Sequence, residues 1–94
     1  MKELTDAEIS AIRTNFSQGT KVSEILRALL EEHSEFGPVE LMVSLMEAFQ
    51  IEHSDVTCLG GWWIEGFSEL SDEDINNFIT PYIIRAHERE LWKA

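Results

Sequence analysis

The side chains suited to nucleophilic or metal chemistry in this chain are one cysteine, Cys58, and three histidines, His33, His53 and His87. A cysteine nucleophile needs a base within hydrogen-bonding reach, and structural metal sites usually show short ligand repeats such as C-x₂-C or H-x₃-H. None of the four residues stands at such a spacing. The sequence therefore predicts no catalytic residue, no metal site and no cofactor, and it favours a protein that is not an enzyme.

The most unusual stretch of the sequence is CLGGWWIEGFSEL, which lacks a helical period. Its Leu59–Gly61 segment is similar to the LGG-x-S arm of the peptidyl carrier proteins, in which the serine holds phosphopantetheine. Trp63 stands at the position of that serine. Tryptophan has no oxygen to which the cofactor could be attached, so a carrier function is not expected.

The adjacent residues Trp62 and Trp63 indicate a protein contact instead. On a non-helical backbone, neighbouring side chains point to different sides, so we expect one indole in the core and the other on the surface. The sequence leaves open which is which. Tryptophan is enriched at binding hot spots, and the surrounding acids favour a basic partner. The predicted partner-binding residues are Trp62, Trp63, Glu65, Glu69, Asp72, Glu73 and Asp55.

The charge distribution supports the same interpretation. Seven Lys and Arg against eighteen Asp and Glu give a net charge of −11. No basic residue stands between Arg27 and Arg85, whereas that interval contains twelve acids: Glu31, Glu32, Glu35, Glu40, Glu47, Glu52, Asp55, Glu65, Glu69, Asp72, Glu73 and Asp74. Such a surface repels nucleic acid and anionic lipid and attracts basic proteins. A solvating acidic face without a partner is the alternative.

Length and composition predict one acidic helical domain spanning residues 1–94. No apolar run reaches the roughly 20 residues of a membrane span, and the N-terminus lacks a signal-peptide pattern. A single cysteine cannot form an intrachain disulfide and is compatible with a reducing compartment. We therefore expect a cytoplasmic protein without a membrane partner.

Two helices are predicted in the first part of the chain. Thr5 and Glu8 have the spacing of a capping box, and Gly19 ends the first helix. The second helix is predicted from about Thr20 to His33, because apolar residues recur there at helical spacing.

A third helix is predicted to begin at Pro38 and to reach Phe49. A long structured connection follows over residues 51–70, with Ser54 as the cap of a single turn and a short element at residues 56–59. Ser71 and Asp74 form a second capping box, which starts the last helix.

Pro81 leaves two interpretations of the last segment open. Either one kinked helix runs to about Trp92, or a short helix ends near residues 77–79 and another begins with Thr80 as its cap. The predicted fold is an all-α bundle of four or five helices with the long connection before the last helix or helix pair. Its predicted core includes Leu26, Leu29, Leu30, Leu45, Met46, Phe49, Ile75 and Phe78.

Size, net charge and helical content are similar to those of the small acidic immunity proteins that inhibit bacterial nuclease toxins, although their Tyr-Tyr-Pro signature is absent here. The resemblance implies acids and exposed aromatics set against a basic enzyme. The leading prediction is thus a non-catalytic inhibitor that masks a basic partner, nuclease-like in the closest analogy. The first alternative is an oligomeric adaptor or regulator that forms a homodimer through the basic C-terminal helix, and the second is a small enzyme.

Overall fold

The computed structural model describes residues 4–62 and 70–93. In chain order these residues form α1 (Asp6–Ser17), α2 (Val22–Glu32), α3 (Pro38–Phe49), α4 (His53–Val56), a short 3₁₀ helix (Thr57–Gly61) and α5 (Asp72–Glu88). No strand occurs among the described residues, so the predicted all-α bundle is confirmed. None of the described helices combines the length and the apolar character that crossing a membrane requires.

Both predicted capping boxes are present. Thr5 Oγ1 accepts a hydrogen bond from the backbone N–H of Glu8 at 3.2 Å, while the Thr5 N–H donates to Glu8 Oε1 at 3.0 Å. Ser71 and Asp74 make the same pair of bonds at the start of α5, at 3.1 and 3.0 Å. These local bonds satisfy backbone donors that have no partner inside the helix, which is why sequence spacing identifies the helix starts.

The second and third helices begin and end by different means. α2 begins at Val22 after Lys21, slightly later than predicted, and the backbone N–H of Ser23 donates to Asn76 Oδ1 on α5 at 2.9 Å. α3 begins at Pro38 as predicted and ends where Gln50 adopts a left-handed conformation, with φ of 54°. A partner distant in sequence therefore supplies the polar contact at the start of α2.

The first half of the long connection is helical. α4 follows Glu52, which is its N-cap in place of the predicted Ser54, and the 3₁₀ helix continues directly from α4. The backbone N–H of Leu70 donates to the carbonyl of Gly61 at 3.2 Å and so joins the two described parts of the chain. Residues 63–69 of the predicted connection lie outside the described residues.

The last segment is one helix that passes through Pro81 without interruption. Since proline has no amide N–H, the carbonyl of Asn77 lacks its usual helical donor. Pro81 is exposed, so this carbonyl lies on the solvent side of α5. Of the two interpretations left open by the sequence, the single helix is correct.

The described helices share one apolar core. Leu26, Leu29, Leu45, Phe49 and Ile75 are buried as predicted, and Leu30 and Met46 are half-buried against them. Phe78 was predicted in the core, and this prediction was wrong, because its side chain is 49% exposed. The residues of α5 that are buried are Ile75, Ile79, Ile83 and Ala86.

Trp92 closes one end of the bundle. Glu90 adopts a left-handed conformation with φ of 60°, and the chain turns back after α5. The indole of Trp92 packs edge-on against the rings of Phe49 and Phe16, with centroid distances of 4.8 and 6.0 Å. Its Nε1 donates to the carbonyl of Ile83 at 3.0 Å. Trp92 is therefore a core residue, so the C-terminal homodimer predicted as the alternative cannot use it as a contact.

Candidate functional site

Trp62 is buried, with 1% of its surface exposed. Its Nε1 donates to Asp72 Oδ1 at 2.8 Å. The guanidinium of Arg27 lies over the indole, 4.9 Å from the ring centroid, and makes two hydrogen bonds to Asp72, at 3.1 Å from Nε and 2.5 Å from Nη2. This three-residue network joins α2, the 3₁₀ helix and the start of α5.

The network changes the interpretation of two predicted partner-binding residues. Trp62 is not an exposed contact, because its ring is buried in the core and its indole N–H donates to Asp72. The Asp72 carboxylate accepts hydrogen bonds from Arg27 and Trp62, and these contacts, those from Arg27 first, lower its pKa below the ordinary value. Both residues therefore hold the fold together. Burial argues against Trp62 as a surface contact, whereas the Asp72 side chain is 46% exposed and its role in binding a partner stays a prediction.

The other predicted partner-binding residues are scattered. Glu73 is exposed in the first turn of α5. Asp55 is half-buried, and its Oδ2 accepts a hydrogen bond from the backbone N–H of Glu52 at the start of α4, 3.0 Å away. Trp63, Glu65 and Glu69 lie outside the described residues. Among the described acids of the predicted site, Glu73 is therefore the exposed one.

The exposed aromatic side chains lie on α5 instead. Phe78 and Tyr82 are 49% and 39% exposed, Ile84 is 48% exposed, and Pro81 lies between them on the helix surface. We call these four residues the α5 outer face. Positions three or four apart are neighbours on a helix, so Phe78 adjoins Pro81 and Tyr82, and Pro81 adjoins Ile84. Phe78 is predicted in the core from the sequence, so this surface is not apparent from the sequence alone.

A groove of about 1130 Å³ lies between α5 and the beginning of α2, and it includes Pro81 and Ile84 of the α5 outer face but not Phe78 or Tyr82. Its apolar part is formed by Pro81 and Ile84. Charged side chains on its walls are Lys21, Glu24, Asp72, Glu73, Arg85 and Glu88. Its lining thus combines apolar and charged side chains.

Two arginines are occupied inside the molecule. Arg27 pairs with Asp72, and Arg13 donates from Nε to the carbonyl of Ala48 at 2.5 Å. The exposed cations of the described residues are Lys21, Arg85, Arg89 and Lys93, three of which stand near the end of α5. On the rest of the described surface, few positive charges therefore balance the negative charges of the acids.

Cys58 lies half-buried in the 3₁₀ helix. Burial raises the pKa of its thiol, which disfavours the thiolate that nucleophilic chemistry requires. His53 and His87, two histidines whose types would suit a base for Cys58, are exposed on α4 and α5. The geometry adds nothing in favour of a cysteine-dependent reaction.

One group of possible metal ligands comes together across two helices. Glu8 of α1 and Glu32 of α2 each bring a carboxylate oxygen, and His33 a ring nitrogen, within 4.8 Å of one another. Sequence analysis missed this group because Glu8 and His33 are 25 positions apart. Only the packing of α1 against α2 brings them into contact.

Comparison with known proteins adds no relative: no family model, no curated protein and no solved structure matches this chain.

Proposed function

We propose that this chain is a non-catalytic protein-binding module that masks a basic protein partner through the α5 outer face. A basic enzyme acting on nucleic acid is the partner class that fits the charge best, because an acidic surface occupies the site that such an enzyme offers to phosphates. The observation that carries the proposal is the exposure of two aromatic side chains and an isoleucine on one helix of a strongly acidic chain.

Exposed apolar side chains support binding when they are contiguous. Phe78, Pro81, Tyr82 and Ile84 are exposed within two turns of α5, whereas the exposed Val39 lies on α3 and Leu91 after α5. Aromatic residues dominate interface energetics because they bury a large area with few rotatable bonds. Phe78 and Tyr82 are therefore the expected anchors of the contact.

The acids support fast association. Glu24, Glu73 and Glu88 line the groove beside the outer face, and the whole chain has a net charge of −11. A field of one sign raises the association rate of an oppositely charged protein, and salt screens it over about 8 Å at physiological ionic strength. Acids and apolar side chains therefore take different kinetic roles in the proposed complex, the acids in association and the apolar residues in dissociation.

The experiment compares three baits in one lysate of the source organism. The baits are the parent chain, the Phe78→Ala/Tyr82→Ala double variant, and Val39→Ala as a matched control that removes an exposed apolar residue elsewhere. A basic protein should be retained by the parent and by Val39→Ala, lost from the double variant, and eluted by salt. Equal retention on all three baits would exclude the α5 outer face.

The retained protein is then purified and its binding kinetics are measured at several salt concentrations. The association rate should fall steeply with salt, and Glu73→Gln combined with Glu88→Gln should flatten this dependence. Phe78→Ala should instead raise the dissociation rate, costing about 2 kcal/mol or more if this ring is a hot spot. A salt-independent association rate would end the electrostatic part of the proposal.

A homodimer through α5 is the second candidate function, that of an oligomeric adaptor. It is favoured by the position of Arg85, Arg89 and Lys93 at the end of the helix whose outer face is exposed. These cations can meet the acids of a second copy. Light scattering of the purified chain separates the candidates: a monomer at all concentrations excludes the dimer, and a dimer disrupted by Phe78→Ala/Tyr82→Ala supports it.

A further inference from the structure

The imidazole of His33 is held in place at the end of α2. Only 8% of its side chain is exposed, and its ring stacks on that of Phe36 with centroids 4.5 Å apart and planes 12° apart. The backbone of the same residue donates to the carbonyl of Leu29 at 2.8 Å. Packing and the helix end therefore set the direction of both ring nitrogens.

Glu8 is held independently on α1. Its Oε1 accepts the capping bond from Thr5, while its Oε2 lies 2.5 Å from Nε2 of His33. Glu32, the last residue of α2, completes the group with a carboxylate oxygen within 4.8 Å of the other two atoms. Two of the three polar atoms are thus fixed by contacts that require no ligand.

The other ring nitrogen of His33, Nδ1, is buried and has no hydrogen-bond partner among the described residues. Glu35 Oε1 lies 3.8 Å from this nitrogen. A histidine that binds a metal through one nitrogen usually presents the other to a carboxylate, which orients the ring and increases its basicity. Glu35 stands on the side of the ring where that carboxylate belongs.

The two carboxylates of the group are accessible to a small ion. A cleft of about 70 Å³ between α1 and α2 is lined by Glu8 and Glu32 but not by His33, and Glu32 is exposed. An ion bound first by these carboxylates lies beside Nε2 of His33, which is in contact with Glu8.

We propose that Glu8 Oε2, Glu32 and His33 Nε2 form a Zn²⁺ site that ties α1 to the end of α2, with Glu35 as the carboxylate behind His33. One imidazole nitrogen and two carboxylate oxygens suit zinc, whereas Mg²⁺ prefers oxygen ligands alone. Three protein ligands leave the fourth tetrahedral position to water. This site involves no residue of the α5 outer face.

The required rearrangement is small. Zn–N and Zn–O distances of about 2.0–2.1 Å in a tetrahedral site place two ligand atoms roughly 3.3 Å apart. Nε2 and Glu8 Oε2 must therefore separate by less than about 1 Å from their hydrogen-bonded distance. The Glu32 carboxylate, on an exposed side chain, turns inward to complete the site.

The first test is calorimetric titration of the purified chain with Zn²⁺ in excess Mg²⁺, so that weak binding to surface acids is suppressed. One ion per chain is expected. Glu32→Gln should weaken Zn²⁺ binding by more than about ten-fold, because even carboxylates that only hydrogen-bond a metal ligand contribute about that much to affinity. Glu31→Gln, at the adjacent exposed position, is the matched control and should bind like the parent. Equal affinities for Glu31→Gln and Glu32→Gln, or no saturable binding, would overturn the proposal.

The second test identifies the ligands. Co²⁺ in place of Zn²⁺ should give the visible absorption of a tetrahedral site, and Glu35→Gln should weaken its binding about 10–100-fold while leaving the stoichiometry unchanged. His33→Gln should abolish the absorption, and circular dichroism of that variant establishes that the fold is retained. An absorption band that survives His33→Gln in a folded chain would remove His33 from the site. Neither test depends on a protein partner, so failure here leaves the proposed function untouched.

Discussion

The indole Nε1 of Trp62 donates a hydrogen bond to Oδ1 of Asp72, 2.8 Å away, and the same carboxylate oxygen binds the guanidinium of Arg27. The aromatic residue that looks most like a binding anchor in the sequence is therefore part of a polar network that fastens α5 to α2. The candidate binding surface is instead the part of α5 on which Phe78 and Tyr82 are exposed.

Replacing Trp62 with Phe should lower the free energy of unfolding by about 1–3 kcal/mol, because the buried ring loses both volume and its hydrogen bond to a carboxylate. Urea denaturation followed by circular dichroism measures the change. An unchanged stability would contradict the burial of Trp62 and restore it as a surface contact.

The acid stability of the fold should depend on Asp72. Its pKa is lowered in the folded state, so its contribution is fully present above the ordinary aspartate pKa of about 3.9 and is lost as pH falls through the lower folded value. Asp72→Asn should remove this contribution and flatten the decline of stability below about pH 4. Chemical denaturation across the acid range measures it. Glu73→Gln is the control, since Glu73 is the adjacent exposed acid, and an effect equal to that of Asp72→Asn would argue against a special role for Asp72.

Truncation on the buried side of α5 should lower the stability of the fold much more than truncation on its exposed side. Ile79→Ala should cost about 2–5 kcal/mol of stability, because Ile79 is fully buried and its removal leaves a cavity. Phe78→Ala, one residue earlier, should change stability by only about 0.5 kcal/mol, as is usual for surface positions. Equilibrium unfolding of both variants provides the comparison. Similar losses at the two positions would mean that Phe78 belongs to the core after all.

Pro81→Ala should stabilise the fold by about 1–3 kcal/mol. The substitution supplies an amide donor for the carbonyl of Asn77 and removes the cost of a proline inside a helix. Thermal unfolding of the parent and the variant gives the result. Stability that stays the same or falls would indicate that the proline is already accommodated, and would contradict the assumption of a weakened hydrogen-bond ladder.

Helix starts and helix periodicity were readable in the sequence because both depend on residues within one or two turns of each other. The Thr5–Glu8 and Ser71–Asp74 boxes follow from spacing alone, and so does the buried stripe of α2. The boundaries of α4 could not be predicted in the same way, because a single turn contains too few positions to show a period.

By itself the sequence determined the helical class, the acidic charge and most of the core, since these follow from composition and from local patterns. Only the tertiary structure decided which side chains face solvent. Phe78 and Tyr82 continue the apolar stripe of α5 along the chain, but the neighbouring helices cover an arc that includes Ile75, Ile79 and Ile83 and leaves those two rings exposed. The pairing of Trp62 with Asp72, and of Glu8 with His33, likewise depends on helices distant in sequence being packed together, and no local pattern encodes that contact.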